Sequence, residues 1–148
     1  MRIRTYRLRL VPPLHRATHG VGLHLQALRL GVSQGEAHVL AQLESEGPST
    51  ISALHSAFAH RRSTLTSILD RLVAAGLVQR EVDSNDRRSF LISLTGSGHL
   101  LARKIHGALA NLEADVGRRV RAADLAGFEA VVEALQAAAL ASRRGKKS

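Results

Sequence analysis

Guanidinium groups and hydroxyls crowded into one short stretch are the residues here with chemistry to offer. Between Arg61 and Leu94 the chain carries Arg61, Arg62, Ser63, Thr64, Thr66, Ser67 and Arg71. After a glycine it adds the charged turn Asp83-Ser84-Asn85-Asp86-Arg87-Arg88-Ser89. Guanidinium forks suit phosphates and guanine edges, while hydroxyls reach base edges or phosphates with little base preference. No nucleophile, base and orienting group occur in a recognisable array, so an enzyme is not expected. The chemistry on offer is the gripping of double-stranded DNA, with a helix for the major groove and an arginine-tipped hairpin for the minor groove.

Those side chains need elements to hold them. Leu65, Ile68, Leu69 and Leu72 recur at the helical period, so a helix starting near Ser63 turns its hydroxyls and arginines outward. Gly76 followed by Leu77 reads as a left-handed stop with an apolar contact. Leu77 to Val82 and Phe90 to Leu94 are short and β-compatible, and the polar turn between them makes a hairpin. Upstream, Pro12-Pro13 opens a helix carrying Leu14, Thr18, Val21, Leu25 and Leu28 on one face, closed by Gly31. Ser33-Gln34-Gly35-Glu36 is a capping box ahead of Ala37, Leu40 and Leu43. Gly47-Pro48 ends that helix, and Ser49 or Thr50 caps a short one with Ile51, Leu54 and Phe58. Downstream, Thr95 to Gly98 opens a long helix with Leu101, Ile105, Leu112 and Val116. Gly107 and Gly117 weaken it by about 1 kcal/mol each relative to alanine. A last helix carries Leu125, Phe128, Val132, Leu135 and Ala139. The fold class expected is mainly α with a small β-hairpin wing (α+β).

The compact middle of this order can fold around its own core. The first and last helices would each leave an apolar stripe exposed if alone. They either pack on each other within one chain or intertwine in a symmetric homodimer, and the second is favoured because two-fold homodimers are so common. The expected layout is a basic N-terminal arm at 1–11, helical dimerisation segments at 12–32 and 97–142, a DNA-binding region at 33–96 and a basic tail at 143–148.

The chain has 148 residues, enough for one domain with a core. It has no cysteine, which excludes disulfides and thiolate metal sites and fits a cytoplasmic location. No apolar run approaches the roughly 20 residues that span a bilayer, so no membrane partner is expected. The net charge is +9, but Arg2, Arg4, Arg7, Arg9, Arg143, Arg144, Lys146 and Lys147 supply eight of the 21 basic residues. Removing these eight leaves 13 against 12 acidic residues, so the basicity sits in the tails. Two readings fit them: arms that add phosphate contacts, and solubilising ends.

Ser63-Thr64-Leu65-Thr66, Leu69-Asp70-Arg71-Leu72, Ala75-Gly76-Leu77-Val78, the wing Asp83 to Arg88 and Leu94-Thr95-x-x-Gly98 occur in an order that resembles the multiple-antibiotic-resistance regulator (MarR) family. The likeness covers roughly residues 30–142 and is dense from Arg61 to Gly98. It implies a winged helix-turn-helix with N- and C-terminal dimerisation helices, acting as a homodimeric transcription repressor on a pseudo-palindromic operator. It further implies that the helix from Ser63 to Leu72 enters the major groove, and that Arg88, oriented by Asp86, enters the minor groove. Narrow minor grooves attract arginine electrostatically, which agrees with that assignment. A small-molecule inducer of unspecified identity is a further expected partner. Two departures stand out: Ser84 replaces a common proline, which suggests a more mobile wing, and Ser67 replaces a common basic residue.

Other signals carry less. His15 and His19 lie at i, i+4, but no thiolate or third ligand accompanies them, and neither a metal nor a cofactor is expected. His55 and His60 flank the recognition helix and suit phosphate contacts. Gly96-Ser97-Gly98 lacks the rest of a phosphate-binding loop and reads as a strand-to-helix turn. The alternative function is an architectural or scaffold protein that coats nucleic acid through its basic tails without sequence preference.

Overall fold

The computed structural model describes residues 8–58 and 62–144, without the side chains of Arg143 and Arg144. The chain divides into two compact units, residues 1–108 and 109–148, with the division inside helix α5 (Gly96–Gly117).

The first unit begins with α1 (Val11–Ala27), with prolines in its first turn as expected. This helix stops at Ala27, four residues before Gly31. Its end tightens through bonds from Leu28 N–H to Leu25 O and from Arg29 N–H to Gln26 O. Arg29 then takes a positive φ of 49°, so the left-handed exit comes earlier than the glycine suggested. Helix α2 (Gln34–Glu46) carries the full capping box: Ser33 Oγ accepts from Glu36 N–H, and Ser33 N–H donates to Glu36 Oε2 at 2.8 Å.

Strand β1 (Ser49–Thr50) and helix α3 (Ile51–Phe58) follow, with Thr50 Oγ1 accepting from Ala53 N–H at the helix start. Helix α4 (Arg62–Ala74) ends on Gly76, whose φ is 68°, with Leu77 N–H bonded back to Leu72 O. Strands β2 (Val78–Val82) and β3 (Phe90–Leu94) form the hairpin. The sheet has three strands in the order β1-β3-β2, all antiparallel. The hairpin expectation therefore missed one strand. Two residues are too short for an alternating pattern, and Ser49 and Thr50 carry the signature of helix caps.

The core of this unit is Val39, Leu40 and Leu43 of α2, Leu54 of α3, Leu65, Leu69 and Leu72 of α4, Ile92 of β3 and Ile105 of α5, all almost solvent-free. A close backbone approach fixes the passage from β3 into α5 (Gly96–Gly117). A Cβ on Gly98 would stand 1.9 Å from Leu77 O, so only glycine fits. Around that point Thr95 Oγ1 accepts from Gly98 N–H and donates to Gly76 O at 2.6 Å.

The second unit holds the end of α5 and helix α6 (Ala122–Arg144). Asp124 closes the start of α6 by accepting from Arg121 N–H and from the Arg121 guanidinium. The helix takes in Arg143 and Arg144, residues the sequence had assigned to a tail. Leu125, Phe128, Val131 and Leu140 of α6 are exposed. The segment Ala122–Ser142 is also long and apolar enough to cross a membrane, by length and composition only. That rests on mean hydropathy, which the alanines lift, and not on an unbroken apolar run. Glu129 and Glu133 lie within it, and carboxylates are costly at the centre of a bilayer.

Candidate nucleic-acid interface

Helix α4 divides cleanly into two faces. Leu65, Ile68, Leu69 and Leu72 are buried, while Arg62, Ser63, Thr64, Thr66, Ser67, Asp70 and Arg71 are exposed. The buried leucines anchor the helix and so set which side chains face outward. Arg61 lies outside the described residues, as do His60 and most of the basic N-terminal arm.

The hydroxyls are not all idle. Thr66 Oγ1 donates to Arg62 O at 2.9 Å and Ser67 Oγ to Ser63 O at 3.0 Å. Each hydrogen is thus committed within the helix, and the outward lone pairs remain as acceptors. Acceptors of this kind meet the amino groups of adenine or cytosine in a major groove. Between α3 and α4 runs a groove of about 260 Å³, lined in part by Ser52, His55, Arg62 and Thr66.

Arg71, expected at a phosphate or a guanine edge, has a partner within the protein. Its Nε meets Glu36 Oε1 at 2.5 Å, although its side chain is 56% exposed and that of Glu36 only 10%. Burial pushes the Glu36 carboxyl up, but hydrogen bonds from Arg71 and from Ser33 outweigh it and hold the group below its ordinary range. Asp70 does not pair with its neighbour Arg71. It accepts from Arg80 Nη2 of β2 at 2.6 Å, which ties the hairpin to α4. A second tie joins α2 to α5: Glu44 takes His99 Nδ1 at 2.8 Å and Arg103 Nε at 3.2 Å. Those bonds, that from His99 first, hold the Glu44 carboxyl below its usual range.

The wing turn is closed by its own polar groups. Asp83 N–H donates to Ser89 O, Asn85 N–H to Asp83 Oδ1, and Ser89 N–H to Asp86 O. Despite Ser84 in place of proline, the loop is thus laced across its whole width. Asp86 Oδ1 accepts from the backbone N–H of Arg88 at 3.0 Å. Asp86 therefore positions the Arg88 main chain in this structure. A short carboxylate two residues back reaches the amide more readily, as Asx turns do. The Arg87 and Arg88 side chains are left exposed, and among the described residues neither meets a carboxylate.

Sequence reasoning missed the structural parts played by Glu36 and Arg80. The capping box marked Glu36, and Arg80 sits mid-strand, but neither carries a local sign of its distant partner.

A buried-leucine helix offering hydroxyls, followed by a laced hairpin offering two free arginines, is a winged helix-turn-helix. Residues 32–90 match the profile of the MarR family. Over those residues the chain is similar to the MarR family. It is 40% identical over 62 residues to the HTH-type transcriptional repressor NicR of Pseudomonas putida, which is 42% of this chain and 39% of that one. The chain spans only 39% and 54% of the lengths of two curated regulators it matches. Among solved structures, MepR of S. aureus in its DNA-binding conformation superposes with a TM-score of 0.79 at 17% identity, covering 88% of this chain and 98% of that one. A mutant MarR from E. coli complexed with operator DNA superposes with a TM-score of 0.62 at 25% identity, covering 84% and 94%. The helices and three-stranded sheet of this chain are thus those of the winged-helix structures it resembles.

Proposed function

We propose that this chain is a sequence-specific DNA-binding transcription regulator, working as a homodimeric repressor on a pseudo-palindromic operator. The observation that carries the reading is the joint presentation, within one unit, of the outward face of α4 (Arg62, Ser63, Thr64, Thr66, Ser67) and the unpaired wing arginines Arg87 and Arg88. The helix enters the major groove and Arg88 the minor groove, whose negative potential favours a guanidinium. Its likeness to a protein named as a repressor favours repression over activation. The exposed apolar residues of α6 support a dimer, since a second copy would remove Leu125, Phe128 and Leu140 from water. A DNA regulator with this fold works in the cytoplasm. A cavity of about 360 Å³ lined by α1 and the start of α2, with Leu23, Leu25, Val32 and Ala37 on its apolar walls, is where a small-molecule inducer would bind.

Hydroxyl-radical footprinting on the DNA upstream of the chain's own reading frame tests this. A dimer protects two half-sites whose centres lie one helical turn, or a multiple of it, apart. Uniform protection along the duplex would contradict the reading.

A further inference from the structure

The wing has an apolar part as well as a basic one. Val78 pairs with Leu94, Arg80 with Ile92 and Val82 with Phe90, so these six residues share one face of the hairpin. At the inner end that face is core: Val78, Leu94 and Ile92 are buried. In the middle Arg80 reaches across to Asp70 of α4. At the outer end Val82 and Phe90 face each other across the strands and are 57% and 49% exposed among the described residues. The face turned toward the recognition helix therefore runs on past it as an exposed apolar pair, immediately before the turn that carries Arg87 and Arg88. The opposite face bears Gln79, Glu81, Leu91 and Ser93.

Two large apolar side chains opposite one another at a hairpin tip are not scattered single residues, and they call for a partner. The charge beside them says which. Asp83 and Asp86 are held by amides of the turn itself, while the exposed Arg87 and Arg88 guanidiniums meet no carboxylate among the described residues and stay open to an anion. A duplex offers both surfaces together: phosphates and groove floor for the guanidiniums, and the C–H edges of deoxyribose along the groove wall for apolar groups. Minor-groove proteins combine arginine with apolar residues, commonly by wedging the latter between base steps.

Resting on the DNA-binding reading above, we infer that Val82 and Phe90 form an apolar clamp that packs on the deoxyribose wall of the minor groove while Arg88 lies in it. The clamp deepens the wing's contact without adding a phosphate contact, so it strengthens binding without raising its salt dependence.

The chain contains no tryptophan, so Phe90→Trp places a single indole at the proposed contact. Titrating that variant with operator duplex should shift and quench its emission. Phe90→Ser should weaken operator binding by about tenfold, as expected for burial of part of one aromatic side chain. The slope of log affinity against log salt should stay at the wild-type value. Thermal melts check that the exposed site tolerates the change. Wild-type affinity in Phe90→Ser, or an indole emission unchanged at saturation, overturns the clamp while leaving the DNA reading intact. A wild-type protein with no preference for operator duplex would sink both.

Discussion

Arg71 Nε stands 2.5 Å from Glu36 Oε1, a bond that ties the capping box of α2 to the exposed face of the recognition helix. One carboxylate thus closes the start of α2 through Ser33 and holds the last turns of α4 through Arg71. The arginine's first duty is to fix where α4 lies, and any DNA contact it makes uses the guanidinium nitrogens left over.

Arg71→Ala should therefore cost stability as well as affinity. Loss of a charged hydrogen bond to a mostly buried carboxylate is worth about 1–2 kcal/mol. In a chain of this size that lowers the melting temperature by roughly 3–8 °C. Arg62→Ala, on the same helix but without a carboxylate partner, should weaken DNA binding and leave the melting temperature nearly unchanged. Differential scanning fluorimetry separates the two; equal melting temperatures for both variants would show that the Glu36 bond contributes nothing.

The same carboxylate sets a pH dependence. Its folded-state value is depressed, so its contribution is complete above the ordinary glutamate range of about 4.3 and is lost as pH falls through the lower folded value. Glu44, depressed by His99 and Arg103, and Asp124, depressed by Arg121, act in the same direction. Urea melts across the acid range should show stability falling below that point. Glu36→Gln should lower stability at neutral pH and flatten the acid limb. An acid limb as steep as that of wild type would remove Glu36 from the account.

Gly98 is held by geometry, not by propensity. With Leu77 O at 1.9 Å from any Cβ, Gly98→Ala must push apart the junction of β2, β3 and α5. A cost of about 2–3 kcal/mol is expected from such overpacking. Gly96→Ala, where no atom lies near the added carbon, should be close to neutral. Denaturant midpoints of the two variants make the comparison.

At the wing, Arg88→Ala should weaken operator binding by about 1–3 kcal/mol and relax base preference outside the helix footprint. Asp86→Ala keeps the guanidinium but frees its backbone, since Asp86 holds the Arg88 amide. It should lose part of that affinity and retain the salt slope. Unchanged affinity and footprint in Arg88→Ala would remove the wing from the interface.

Local chemistry made much of this fold legible in advance. Ser33 and Glu36 sit three apart, Gly76 precedes an apolar residue, and four aliphatic positions of α4 keep the helical period; each signal lies within one turn of its effect. The ties that aim the site do not. Arg71 and Glu36 are 35 residues apart, and Arg80 and Asp70 meet only once β2 has turned back on α4. Strand β1 exists because β3 offers Ile92 and Leu91 an edge to pair, not because Ser49 and Thr50 favour extension. Asp86 meets the Arg88 amide, and spacing alone does not separate that bond from one to the guanidinium.

The central claim is sequence-specific recognition through the α4 face and the wing, and a competition of operator against scrambled duplex tests it most directly. Fluorescence anisotropy at several salt concentrations should give the chain's own upstream DNA a preference of at least ~10³ over scrambled duplex. Equal affinity for the two at every salt concentration would contradict it, and would leave only a charge-driven coat on nucleic acid.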